Sequence, residues 1–345
     1  MDFQLSDDQR ALRSGMRDLL GAVFDRDRMR AVVERGGALD RSLWRELGAA
    51  GFFALRLPEE AGGVGLGLPE AVLLFEEAGR ALLPGPLVAT HLAAGLVKGA
   101  AEGEAVVTAA EGGGRPVADL GGADAVLVGG GAGVVEGERL EVLTGEVLEA
   151  FVAGAVPVRS MDPLTPLHRV EGRWEGAGAS EGRSAGAGAS EAYPGALRRE
   201  GALLTAAEQL GSATRTTEMA VQHAGSRQQF GSLIGSFQAV KHLCADMLAR
   251  TEPARSAVYA AAVTGDPVEI AAAKLLADEA AVRNARDCLQ IHGGMGFTWE
   301  ADVHLHLKRA WLRAARWLTA AEAEELLAAD LGPVRPLYSG SAALG

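Results

Sequence analysis

The chain has few cysteines, few aromatic residues and no long apolar run, and each shortage excludes a class of protein. Its 345 residues include two cysteines, Cys244 and Cys288, too few for a disulfide framework and consistent with a reducing compartment. Both fall in helical patterns, where a free cysteine packs as a small hydrophobic residue. No apolar run reaches about 18 residues, and no N-terminal stretch has the pattern of a secretory signal. We therefore expect a cytoplasmic protein with no membrane partner.

Basic residues are also in the minority. The 33 Lys and Arg against 45 Asp and Glu give a net charge of −12, which argues against a nucleic-acid or anionic-membrane partner. Apolar residues make up 48% of the chain and charged residues 23%, as in ordinary globular proteins. A chain of this length predicts a large core and more than one domain.

Two glycine-containing segments separate long alanine-rich patterns of helical period. The first, RQQFGSLIGSFQAVKHLCADM, begins at Arg227, and Ser236 stands before its apolar helical repeat, where a helix N-cap is expected. The second, QIHGGMGFTWEADVHLHLKR, predicts a helix that ends at His292 and a new helix that begins near Thr298. Glycines at helix ends expose N–H groups that can bind a phosphate, but they also cap helices. The residues alone leave both interpretations open.

The periodicity divides the chain into four predicted segments. Residues 1–98 predict an all-helical domain, with a Ser6 capping box opening a helix to about Phe24 and a glycine-rich loop at 57–67. Residues 99–170 are Val-rich runs that predict antiparallel strands in a shortened barrel or sandwich. Residues 171–193 contain GAGAS twice and predict a linker or loop.

Residues 194–345 predict an antiparallel four-helix bundle. The predicted helices are Ala196–Ala224, Ser236–Val263, Pro267–Ile291, Trp299–Trp317 and a shorter one at Ala320–Ala329. Pro253 interrupts the second of them and is expected to kink it. The predicted fold class is α+β, with a helical domain, a β domain and a helical bundle in that order.

Four segments in the same order resemble the acyl-CoA dehydrogenase family of flavoproteins. They are the opening MDFQLSDDQRALRSGMRDLL, the LWRELGAAGFFALRLPEEAGGVGLGLPEA passage, and the two glycine-containing segments described above. The resemblance spans nearly the whole chain and is weak in the middle. It implies an acyl-CoA substrate, FAD as cofactor, the same three-part fold, and electron-transfer flavoprotein as the electron acceptor.

In this family the β domain covers the flavin ring, and the adenine and pyrophosphate end of FAD reaches a neighbouring subunit. The residues that the resemblance assigns to that end of FAD are Arg227, Gln229, Phe230, Ile234, Phe237, Gln238, Gln290, Gly293 and Gly294. On the ring side, the family typically has a Thr-Glu-Pro and a Trp-Thr segment. Neither occurs between Ala105 and Val170, and the nearest tryptophan, Trp174, heads the linker.

The catalytic base of the family is missing from both places where the resemblance implies it. The family carries a glutamate either 26 residues before the arginine of the first motif, which is Gly201 here, or about 20 residues after the second motif, near Trp317. Glu200 lies one residue from the first position, about 100° around a helix. Glu300 is expected to start a helix rather than to act as a base.

Three hypotheses follow for function. The first is a non-catalytic, half-site subunit of a heteromeric acyl-CoA dehydrogenase, resembling the α2β2 members that actinobacteria use on CoA esters of steroid side chains. The second is a self-sufficient homotetrameric acyl-CoA dehydrogenase with Glu200 as base. The third is a scaffold protein of the same fold without FAD. No metal site is predicted, and the sequence does not specify the acyl group.

Overall fold

The computed structural model describes residues 4–112, 114–128, 141–170 and 194–332. The helices and strands in chain order are α1 (Asp7–Val23), α2 (Arg26–Glu34), α3 (Arg41–Ala49), α4 (Leu68–Arg80), α5 (Leu87–Ala93), β1 (Val107–Ala110), β2 (Val117–Ala118), β3 (Ala125–Val128), β4 (Glu141–Leu143), α6 (Gly145–Ala153), β5 (Ala155–Val158), β6 (Leu167–Val170), α7 (Pro194–Ser226), β7 (Gln228–Gln229), β8 (Ser232–Leu233), α8 (Gln238–Thr264), α9 (Pro267–His292), α10 (Val303–Ala314) and α11 (Ala320–Leu331). The predicted linker 171–193 lies outside the described residues, and the domain boundaries stay predictions.

The first helix begins as the sequence predicts. The Ser6 hydroxyl accepts from the Gln9 N–H at 3.1 Å, and the Gln9 side chain accepts from the Ser6 N–H at 3.1 Å. Two of the exposed donors at the helix start are thereby satisfied. Helix α2 was not predicted, although Asp25 caps it by accepting from the Arg28 N–H at 2.8 Å. Its nine residues carry a low mean hydropathy, with only Met29, Val32 and Val33 buried, so the apolar stretch is short.

Aromatic rings fill the centre of the N-terminal helical region. Trp44, Phe52, Phe53 and Phe75 are among the largest fully buried side chains. Their ring centroids lie 4.8 Å apart for Trp44 and Phe53, and 5.1 Å apart for Phe52 and Phe75. Such pairs contribute beyond their buried area. Four of the chain's large aromatic side chains therefore share one core.

The β region differs from the predicted all-antiparallel unit. One sheet has the order β1-β3-β4 and the other β2-β6-β5, and the β1–β3 pair is parallel, with Val107 opposite Ala125. The pair is parallel because the chain crosses to the second sheet through β2 before it returns as β3. The run AFVAGAVPV, predicted as one strand, divides into the end of α6 and β5. An apolar run of that length fits either structure. The predicted strand at GVVEG lies outside the described residues.

The C-terminal helices agree with the predicted bundle at α7, α8, α9 and α11. Helix α8 continues through Pro253, so the proline does not end it. Helix α10 begins at Val303, not near Thr298, and ends at Ala314. The loop before α10 stays non-helical because the Arg26 and Arg30 side chains of α2 bind the Asp302 carboxylate and the Glu300 carbonyl.

Two glycines bring α4 and α7 into backbone contact. A Cβ atom on Gly79 would lie 2.0 Å from the Glu208 carbonyl oxygen, and one on Gly211 would lie 1.9 Å from the Glu76 carbonyl oxygen. The Ser212 hydroxyl also donates to the Gly79 carbonyl at 3.2 Å. This contact fixes the middle of α7 against the N-terminal helices. Among the described residues, no helix is long and apolar enough to cross a membrane.

Candidate functional site

The first glycine-containing segment forms a tight hairpin after α7. Strands β7 and β8 are joined by Phe230 and Gly231, which both have positive φ values of 53° and 75°. Positive φ at both turn residues is typical of two-residue hairpins, but it is uncommon for phenylalanine. The Phe230 side chain is also 94% exposed. A strained and exposed aromatic side chain indicates a contact outside this chain.

The hairpin is attached to the end of α7. The Ile234 N–H donates to the Arg227 carbonyl at 2.8 Å, and a Cβ atom on Gly235 would lie 2.8 Å from the Ala224 carbonyl oxygen. The prediction that Ser236 caps α8 is wrong. Its hydroxyl donates to the Leu233 carbonyl at 2.6 Å, and Phe237 holds the N-cap position without a side-chain cap. The Ser236 hydroxyl closes the short helical turn before α8 instead.

The second glycine-containing segment lies beside the first. Helix α9 ends at His292, and Gly293 follows with φ 61° and ψ −142°, a conformation that L-residues rarely adopt. The His292 ring stacks on the His223 ring of α7, with centroids 4.1 Å apart. Burial, together with the charges of His292 and Arg227, lowers the pKa of His223. The stack places the ends of α7 and α9, and so the two motifs, next to each other.

The nine residues predicted for FAD form an open surface rather than a pocket. Ile234 and Gly293 are half-buried, and the other seven are exposed. Among the described residues, the Arg227 guanidinium makes no hydrogen bond or ion pair. Phe230 and Phe237 meet edge to face with centroids 6.2 Å apart.

Exposed apolar side chains continue from this surface into the turn after α9. Met295 is 55% exposed, Phe297 77% and Trp299 54%. The loop that carries Trp299 is fixed to α2, since Arg30 donates to the Trp299 carbonyl at 2.6 Å. Large exposed apolar side chains of this kind are common at protein–protein interfaces.

The two positions where the family carries its base contact each other. A Cβ atom on Gly201 would lie 2.4 Å from the Trp317 ring, which is buried with 6% exposure. The backbone of Trp317 is held in place, since its N–H donates to the Glu111 carboxylate at 2.5 Å and its carbonyl accepts from the Arg198 Nε at 2.6 Å. An indole ring therefore fills the space beside Gly201, where any side chain would have to lie.

Glu200 points to a different partner. Its Oε2 lies 2.5 Å from the Arg56 Nη1, and its Oε1 accepts from the Arg56 Nη2 at 3.2 Å. Both carboxylate oxygens are therefore engaged by one guanidinium. Glu300, the other carboxylate considered, is fully exposed, and its pKa is lowered by hydrogen bonds to its own backbone and to Thr298.

Two models of known domains and the curated relatives agree on one family. The acyl-CoA dehydrogenase N-terminal domain model matches residues 6–102, and the acyl-CoA dehydrogenase C-terminal domain model matches residues 198–322. The chain is 35% identical over 310 residues to acyl-CoA dehydrogenase IpdE2 of Mycobacterium tuberculosis, covering 88% of this chain and 91% of that protein. The chain belongs to the acyl-CoA dehydrogenase family.

Two further comparisons bear on how such a chain is organised. Acyl-CoA dehydrogenase FadE34 of M. tuberculosis is 35% identical over 330 residues, which cover 86% of this chain and 45% of that protein. The structure of the ChsE4-ChsE5 complex from M. tuberculosis superposes with a TM-score of 0.77 at 24% identity, covering 97% of this chain and 100% of the matched chain. This second match shows the acyl-CoA dehydrogenase fold.

The residues present fit one end of FAD. Arg227 offers a guanidinium with no protein partner among the described residues, and open space surrounds Gly293 and Gly294 where side chains would stand. Guanidinium groups and exposed backbone N–H groups are groups that bind pyrophosphates in proteins. On the ring side, the stretch between Ala105 and Val170 lacks the Thr-Glu-Pro and Trp-Thr segments that the family typically has there.

Sequence reasoning missed the residues that close the base position. Nothing in the local pattern indicates that Trp317 contacts Gly201, since the two residues are more than 100 positions apart in the chain. Arg56 was also missed, because a lone arginine after a helix carries no signal for its partner. One signal was available: Arg309 and Arg313 lie four residues apart in α10, a spacing that places the two cations on the same face of the helix, and both are buried.

Proposed function

We propose that this chain is the non-catalytic, half-site subunit of a heteromeric acyl-CoA dehydrogenase of the cytoplasm. One observation carries the proposal: Trp317 occupies the space at Gly201, where the catalytic glutamate of the family would stand, while the Arg227 motif is intact and exposed. A chain that offers cofactor contacts to a neighbour and has no base of its own fits such a subunit.

The reaction assigned to the complex is α,β-dehydrogenation of an acyl-CoA thioester. FAD, when bound, supplies the acceptor for the hydride that leaves the β-carbon. A carboxylate must remove the α-proton, and the partner chain would provide it. This chain would provide Arg227, Gln229, Phe230, Ile234, Phe237, Gln238, Gln290, Gly293 and Gly294 at the pyrophosphate end. Electron-transfer flavoprotein is the proposed final electron acceptor.

Two comparisons support the need for a partner. More than half of FadE34 lies outside the part that this chain matches, which leaves room for a second unit of similar length in one polypeptide. The ChsE4-ChsE5 structure has the same fold and is a complex of two named chains. The exposed apolar side chains Phe230, Phe297 and Trp299 give a partner chain a surface to cover.

The alternative in which Glu200 serves as base has less support. Both its carboxylate oxygens bind Arg56, so neither is directed toward a substrate carbon without a change of partner. The alternative of a scaffold without FAD has less support, because it does not explain why Arg227 is exposed or why open space surrounds the backbone at Gly293.

The test is co-expression with an acyl-CoA dehydrogenase homologue encoded beside this chain. We expect a stable complex of the two chains that contains FAD and oxidises an acyl-CoA, with the lone chain inactive. Dehydrogenation by the lone chain at a rate typical of enzymes, about 1–10³ s⁻¹, would overturn the proposal.

A further inference from the structure

A small cavity lies between α5, α7, α10 and the β region, and none of its walls comes from the FAD motifs. Its volume is about 50 Å³. Its polar walls are Asp119, Thr205, Glu208, Arg309 and Arg313. Its apolar walls come mainly from the start of α5 and from Trp317. The lining of the cavity therefore combines charged and polar groups with apolar side chains.

Two arginines each leave one nitrogen without a partner in the described residues. Arg309 binds Asp162 through Nε and donates to the Leu83 carbonyl through Nη1 at 3.1 Å, and its Nη2 is buried and unpaired. Arg313 donates to Glu208 through Nη2 at 2.8 Å, and its Nη1 is buried and unpaired. Both arginines are buried, each with only 4% of its surface exposed. Buried donors of native proteins nearly always have a partner.

Asp119 leaves an oxygen in the same condition. The residue is 7% exposed, and its Oδ1 is buried without a hydrogen bond in the described residues. Its backbone has a φ of 57°, in the left-handed region, and its N–H donates to the Pro166 carbonyl at 2.8 Å. Burial raises the pKa of Asp119 to about 7. Near neutral pH this carboxyl therefore both accepts and donates hydrogen bonds.

The charges around the cavity exclude an anion as the favoured ligand. Arg309 is paired with Asp162, Arg313 with Glu208 and Arg316 with Glu111. Asp119 is a fourth acid without a cation of its own. An added carboxylate would bring a further negative charge into a buried site, which is costly.

We propose that this cavity binds a small uncharged molecule or group that carries a ketone or alcohol oxygen. The oxygen would accept from the unpaired nitrogens of Arg309 and Arg313, and an alcohol would also donate to Asp119. The carbon atoms would lie against the apolar wall at Leu87 and Trp317. A cavity of this size holds only a few non-hydrogen atoms, since one water needs about 10–15 Å³ on the same measure.

The site is tested on the lone full-length chain, so the result does not depend on FAD or on a partner. The probes are acetone, 2-propanol and acetate, each at millimolar concentration, observed by saturation-transfer NMR at pH 7. We expect a signal from acetone and 2-propanol and none from acetate. A signal from acetate alone would show an anion site and overturn the proposal, and so would the absence of any signal, which would mean that the cavity holds water only.

Two variants separate this cavity from the rest of the surface. Ala89 lines the cavity and is 2% exposed, so Ala89→Val fills part of it and should abolish the acetone signal. The double variant Glu208→Gln with Arg313→Met removes one donor without leaving a buried charge unpaired. It should weaken acetone binding by about ten-fold, the usual effect of losing a hydrogen bond to a charged group. An unchanged signal in both folded variants would place the acetone elsewhere and overturn the proposal.

Discussion

Replacing Gly201 by alanine should destabilise the chain, although a change from glycine to alanine inside a helix usually stabilises the helix. Alanine is favoured over glycine in a helix interior by about 1 kcal/mol. Here the new Cβ atom would lie 2.4 Å from the buried Trp317 ring. The ring cannot easily move away, because the backbone N–H and carbonyl of Trp317 are both hydrogen-bonded. Overpacking of that kind costs about 1–3 kcal/mol. We expect a net loss of stability and a fall in Tm of several degrees, at about 2–4 °C per kcal/mol.

The matched control is Gly15→Ala in α1. Gly15 is exposed, and open space surrounds the position of its Cβ atom, so only the helix preference acts and stability should rise by up to about 1 kcal/mol. Thermal unfolding followed by circular dichroism measures both variants. In the double variant Gly201→Ala with Trp317→Ala, the loss of stability should be about 1–3 kcal/mol smaller than the sum of the losses in the two single variants. If Gly201→Ala is as stable as the control, the tryptophan does not fill the base position and the reasoning fails.

Three further predictions concern single side chains. Arg227→Ala in the co-expressed complex should weaken FAD retention about ten- to a hundred-fold, since it removes a charge-assisted contact. The control Arg10→Ala, on the surface of α1, should leave FAD retention unchanged. Equal retention in the two variants would mean that the Arg227 motif has only a structural role. Glu200→Gln should change the turnover of the complex by no more than about two-fold, and a fall of about 10²–10⁴-fold with FAD still bound would identify Glu200 as the base. Asp119→Asn should increase the free energy of unfolding by roughly 1–3 kcal/mol at pH 8 and change it little at pH 4, as measured by denaturant unfolding. A gain of equal size at both pH values would contradict the explanation that the buried Asp119 carboxylate destabilises the chain.

The sign of the Asp119 effect follows from its raised pKa. The carboxyl binds its proton more tightly in the folded chain, with a pKa of about 7, than in the unfolded chain, where the value is near 3.8. Stability therefore falls as the pH rises between these two values and stays low above them. Desolvation is the largest cause, and the positive charges of Arg309 and Arg316 oppose it. An asparagine has no proton to lose and removes this penalty.

Much of the helical architecture could be predicted because its signals are local. The Ser6 capping box and the apolar period of α7 and α9 depend on residues a few positions apart, and the structure places those helices within a few residues of the predicted bounds. The Asp302 loop shows the limit. Its residues fit a helix start from Thr298, but the ion pairs to Arg26 and Arg30, some 270 residues away, keep it non-helical.

The candidate site divides in the same way. The sequence motifs place Arg227 and Gly293 on glycine turns, and the structure brings the two turns together through the stacked His223 and His292 rings. The sequence shows that no glutamate stands at either base position, but it does not show which side chain occupies that space. That Trp317 fills the gap at Gly201 depends on a tertiary contact that no spacing or propensity encodes.

The flavin content of the lone chain tests the central claim most directly. The chain carries, on an exposed surface, the residues proposed for the pyrophosphate end of FAD, and between Ala105 and Val170 it lacks the Thr-Glu-Pro and Trp-Thr segments that the family typically has on the ring side. We would purify the full-length chain without a partner, add excess FAD, remove unbound flavin by gel filtration and measure the ratio of flavin to protein from absorbance. The half-site account predicts a ratio near zero that rises when the partner chain is added. One FAD retained per lone chain would contradict it.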